Sequence, residues 1–131
     1  MKISPSPYHP LTLSCLLAFA LCLCPTVTVQ AEDPVAERLF TLKILPLLKE
    51  KCFACHGGDT KAIKGQYDLT SRAGMLEGGE SGDPAILVGQ PAESVFVEAI
   101  EWASYEMPPK ENDRLTLEQI GLVRKWISAG A

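Results

Sequence analysis

Two cysteines and a histidine share one short stretch, Cys52-Phe53-Ala54-Cys55-His56. Helical residues three and four apart lie side by side, so a helical turn here puts both thiols and the imidazole on one face. The rest of the chain sharpens that pattern. The other cysteines, Cys15, Cys22 and Cys24, and the other histidine, His9, all fall in an N-terminal segment unlike the remainder of the chain. There, Lys2 opens a polar start and Leu11 to Cys24 is almost wholly apolar. Pro25 breaks the run, and Val29-Gln30-Ala31 precedes the acidic Glu32-Asp33. This is the layout of a secretory signal peptide, and a run of fourteen apolar residues is short for a membrane span. We expect a signal peptide over 1–31 and one domain over 32–131, with an uncleaved anchor as the alternative for the first segment. The expected location is periplasmic, with membrane association only if the segment stays uncleaved.

Within 32–131, Cys52, Cys55 and His56 are then the only cysteines and the only histidine. A zinc site needs a further cysteine or histidine ligand and finds neither. A redox dithiol belongs at a strand-to-helix turn, and no strand pattern precedes Cys52. A plain disulfide remains as the haem-free alternative. C-x-x-C-H is also the attachment signature of c-type haem, in which both thiols bond the vinyl groups while the imidazole reaches the iron. Eleven basic residues face sixteen acidic ones over 32–131, a formal balance of −5. That sign argues against nucleic acid or an anionic membrane as a partner.

The remaining pattern is helical at both ends and irregular between. Val35, Leu39, Leu42 and Leu45 recur at helical spacing, and Pro46 should kink or divide that helix before Cys52. Gly57 to Gln90 is glycine-rich and loop-like, with one helical turn expected near Ser71 to Leu76. So long a loop in a small domain implies something to wrap around. Pro91 suits the first position of a helix over 92–103, with Phe96, Ala99, Ile100 and Ala103 as its apolar stripe. Thr116 and Gln119 form a capping box for a last helix that buries Ile120, Val123, Trp126 and Ile127 and ends at Gly130. The fold class is all-α: three main helices and a long irregular loop around one haem.

With no second histidine over 32–131, bis-histidine ligation within the domain is excluded, and methionine is the usual partner on the far side of the iron. Met75 and Met107 are the candidates. Met107 precedes Pro108-Pro109 in a stiff loop between the last two helices, whereas Met75 sits in an ordinary apolar setting. Met107 is therefore the expected ligand and Met75 a core residue. Arg72, Lys61 and Lys64 could reach haem propionates, and Trp102 and Trp126 could line the pocket. Solvated charge and ordinary core are the plainer readings.

The series CFACHGG, Gly65 with Asp68-Leu69, GGESG (Gly78 to Gly82), Val88-Gly89-Gln90-Pro91, Ser94, MPP (Met107 to Pro109) and WISAGA (Trp126 to Ala131) resembles the planctomycete-type cytochrome c domain over about residues 46–131. The resemblance implies a small cytochrome c fold with one covalent haem c, thioethers at Cys52 and Cys55, His56 as proximal iron ligand and Met107 as distal ligand. Members usually open larger multidomain proteins, so the chain is expected to be either a stand-alone version or part of such a protein. With both axial positions filled, the expected activity is one-electron transfer with transiently docked redox partner proteins, not catalysis. The alternatives are a five-coordinate haem module for ligand sensing or peroxidase-like chemistry, and a haem-free dithiol or disulfide module.

Overall fold

A computed structural model describes residues 34–58 and 63–131. The expected signal segment at 1–31 and Lys61 lie outside them. Among the described residues the structure is helical without strands, as the all-α expectation requires, and no helix is long and apolar enough to cross a membrane.

The first helical run is α1 (Pro34–Leu39) and α2 (Leu45–Lys51), joined by a π-helical stretch, Phe40–Ile44. Pro46 explains the division. It has no N–H to donate, and its ring crowds the carbonyl four residues earlier. A wider turn just before it relieves both problems, and the Leu45 N–H accordingly donates to the Phe40 carbonyl. The buried face differs from the expected stripe. Ala36, Ile44, Leu47 and Leu48 are buried, whereas Val35 and Leu42 are exposed. Two apolar stripes overlap on this helix, and spacing alone does not say which one meets the core. Burying Ile44 and Leu48 contributes roughly 1.5–3 kcal/mol each.

A short α3 (Phe53–His56) carries the cysteine–histidine turn, and α4 (Arg72–Glu77) comes after the first loop. Ser71 caps α4, its hydroxyl accepting from the Gly74 N–H at 3.1 Å. The next helix is shorter than the expected 92–103. Pro91–Glu93 is a 3-10 turn, and α5 covers Val95–Ile100. Ser94 separates them. It is wholly buried, and its hydroxyl accepts from the Leu87 N–H at 3.0 Å and donates to the Gln90 carbonyl at 2.9 Å. Replacing Ser94 with alanine should cost about 1–3 kcal/mol through the unpaired groups left behind, read as a lower denaturant midpoint.

At its other end α5 closes on Trp102. The Trp102 N–H bonds Ala99 and the Ala103 N–H bonds Glu98, with Trp102 at φ 62°. These are the two bonds of a Schellman cap, in a conformation that costs a non-glycine residue roughly 1–2 kcal/mol. Ala103, expected on the buried stripe, is exposed because the helix has already ended. The Arg114 guanidinium stacks 4.4 Å from the Trp102 ring centroid.

The last helix, α6 (Leu117–Ser128), meets its expectation in full. Thr116 and Gln119 exchange both capping-box bonds, at 2.8 and 3.2 Å. Ile120, Val123, Trp126 and Ile127 are all buried, and Gly130 ends the element at φ 119°. Trp126 packs on Phe40 with ring centroids 5.5 Å apart, joining α6 to the first helical run. Arg124 donates through two nitrogens to one Glu101 oxygen at 2.9 and 2.7 Å, which ties α6 to the end of α5. Those elements form the core, and α5 also borders a cavity.

Candidate functional site

Beside α5 lies a cavity of about 480 Å³, within the size range of small-molecule and cofactor sites. Its lining is largely apolar. Phe96, Ala99 and Ile100 of α5 form one wall, and Phe96 and Ile100 are at the same time part of the hydrophobic core. Cys52, Cys55 and His56 form a second wall. Their arrangement is set by α3, where the Cys55 and His56 N–H groups both bond the Cys52 carbonyl, at 3.1 and 2.9 Å. Both cysteines carry free thiols, Cys52 half-buried and Cys55 exposed.

His56 is held twice by the segment after the first loop. Its carbonyl accepts from the Leu69 N–H at 2.8 Å, and its ring Nδ1 lies 3.2 Å from the Tyr67 carbonyl. A carbonyl can only accept, so Nδ1 is the protonated nitrogen in that contact and donates. The neutral ring then keeps its lone pair on Nε2, the tautomer suited to a metal. The Tyr67 ring meets the imidazole edge-on, at 5.7 Å between centroids.

The loop after α5 also lines the cavity, with Tyr105, Met107 and Pro108. The Met107 N–H donates to the Ala99 carbonyl at 3.1 Å, which pins this loop over the end of α5. The Met107–Pro108 peptide is cis. Met107 keeps 37 % of its surface exposed, while Met75 keeps 4 % and belongs to the core. The two methionines thus occupy different environments, and only Met107 lines the cavity.

The Gly78 to Gly82 stretch builds the rim. The Glu80 N–H bonds the Gly65 carbonyl at 2.8 Å, drawing this loop onto the Gly65 turn. Gly79 permits that approach, since a Cβ there would press on the Gly65 carbonyl and the Tyr67 side chain. Gly78 adopts φ 97°, a conformation open to glycine at little cost. A Gly79→Ala substitution should therefore overpack the rim and cost about 1–3 kcal/mol, seen as a fall in thermal midpoint.

Charge gathers at the edge. Lys64 lines the cavity, as do Lys51, Glu80 and Asp83. Arg72 does not; it donates to the carbonyls of Ala131 and Gly130 at 2.6 and 3.2 Å. Trp102 and Trp126 are likewise absent from the lining. Lys51 and Tyr67 are cavity residues that the sequence does not single out. Lys51 could be suspected from its place beside Cys52, but nothing in the spacing links Tyr67 to His56, eleven residues away. Burial pushes the Cys52 thiol up to about 11, with Cys55 adding to the rise and Lys51 opposing it. Such a thiol stays protonated at neutral pH, unlike the depressed thiols of dithiol oxidoreductases. Burial also raises the Tyr67 hydroxyl, which remains a donor at any ordinary pH.

The family described as planctomycete cytochrome C matches residues 52–111. No curated protein and no solved structure matches the chain. The matched stretch starts at Cys52 and takes in every cavity residue except Lys51. Residues 52–111, from the cysteine–histidine turn through the Met107 loop, are thus similar to the planctomycete cytochrome C family.

Proposed function

We propose that this domain is a monohaem electron carrier: Cys52 and Cys55 hold one haem c by thioether bonds, His56 is the proximal iron ligand and Met107 the distal one. The observation that carries the reading is the convergence of these four residues on one largely apolar cavity. The cavity fits the group on its own terms. His56 directs Nδ1–H to the Tyr67 carbonyl, which leaves Nε2 as the ligating nitrogen. Met107 stands on the loop pinned to Ala99, able to supply a thioether sulfur. The raised Cys52 thiol weighs against a free redox dithiol. When bound, the haem supplies one-electron chemistry at a potential raised by methionine ligation. The protein's own contribution would be to hold the group through Cys52, Cys55, His56 and Met107 and to screen it from water with the apolar Phe96, Ile100 and Pro108, so that a substrate would find no place at the iron.

We assign the chain to the periplasm, where an N-terminal signal would send it. Its partners are redox proteins that dock weakly, with a buried area at the small end for protein complexes. The ferric absorption spectrum tests the ligation. A weak long-wavelength band of methionine-to-iron charge transfer is expected. Its absence, together with ready carbon monoxide binding by the ferrous protein, would favour the five-coordinate alternative.

A further inference from the structure

The proximal side holds a contact that His/Met ligation alone does not require. The Tyr67 hydroxyl donates to the Met75 carbonyl at 3.0 Å. Met75 lies in the last turns of α4, where carbonyls lack helical partners. Tyr67 therefore touches three things at once: its carbonyl accepts from His56, its ring packs on the imidazole and on Phe96, and its hydroxyl anchors to α4. The rest of its setting is a tight turn, with Gln66 in a left-handed conformation at φ 54° and the Tyr67 N–H bonded to Lys64 at 3.2 Å.

We propose that Tyr67 is the positioning residue for His56, with its hydroxyl anchored on α4 so that its carbonyl stays within hydrogen-bond reach of the imidazole Nδ1. This inference rests on His56 being the proximal ligand. The hydrogen bond from Nδ1 makes the imidazole a stronger donor to the metal, and a stronger donor favours the ferric state. Freeing the Tyr67 main chain weakens that bond and moves the balance toward the ferrous state.

The test uses the haem-loaded protein and a Tyr67→Phe variant, which keeps the ring and loses only the anchor. Two readings are taken: the midpoint potential, and the rate at which the His56 Nδ1 proton exchanges with solvent by NMR. The variant should show a higher potential and exchange about fivefold to tenfold faster, as the weakening of one hydrogen bond predicts. Thr116→Ala serves as the control. It removes one hydrogen bond at the cap of α6, away from the cavity, and should destabilise the fold without changing either reading. Tyr67→Phe with unchanged potential and unchanged exchange would overturn the positioning role. So would equal changes in the Thr116→Ala protein. Failure of the underlying reading looks different, because wild-type protein would then carry no haem or show no His56 proton shifted by the iron.

Discussion

Replacing Cys52 and Cys55 together with alanine is expected to abolish covalent haem attachment. The intact mass should fall to that of the bare polypeptide, and acidified organic solvent should extract all remaining haem. The reason is positional. No other cysteine lies between residue 25 and residue 131, so no second pair can take over. The cavity itself should persist, because alanine suits the helical turn and the α5 and Met107 surfaces are unaffected. Haem held without covalent bonds then stabilises the fold by an amount that grows with the logarithm of its free concentration. The variant should accordingly unfold at lower temperature when diluted. Single replacements should each retain one thioether and most of the haem. Haem that resisted extraction from the double variant would contradict the attachment assigned to this pair.

Met107→Ala carries the second large effect. The ferric charge-transfer band should vanish, the ferrous protein should bind carbon monoxide, and the reduction potential should drop, because methionine ligation is what raises it. Met75→Leu supplies the contrast. Met75 is 4 % exposed within the core and takes no part in the cavity wall, so its replacement by a residue of similar volume should cost under about 1.5 kcal/mol and leave the spectrum intact. The reverse result, with the spectrum tracking Met75 and not Met107, would require the axial assignment to be rewritten.

How far these features can be read from sequence depends on whether they are local. The last helix is legible because a capping box and an apolar stripe are both contained within its own length, and both appear as expected. The division of the first helix is legible through Pro46, but its buried face is not. Apolar residues occupy two overlapping stripes there, and the choice of Ala36, Ile44, Leu47 and Leu48 over Val35 and Leu42 depends on what packs opposite. The early stop of α5 is hidden for another reason: a tryptophan adopts the left-handed cap position that glycine usually takes.

The same rule applies to the cavity. The Cys52, Cys55 and His56 grouping is set by helical spacing alone, and the stiff Met107-Pro108-Pro109 loop stands out in the sequence. The contacts that surround them are not local. Tyr67 reaches His56 across a glycine-rich loop, and Gly79 meets Gly65 because two loops close on each other. Gly65, Gly79 and Ser94 can be noticed as motif residues, yet their work becomes visible only in three dimensions. Gly79 allows a close backbone approach at the rim, and Ser94 satisfies buried backbone groups where the loop turns into α5.

The most direct test of the central claim is the pyridine haemochrome spectrum of the purified protein, made alongside a haem-attachment system and stripped of free haem by denaturation. Retention of one haem per chain, with the spectrum of a haem bonded through two thioethers, is the predicted result. A chain that emerges with no haem, or with haem lost entirely on denaturation, would contradict it.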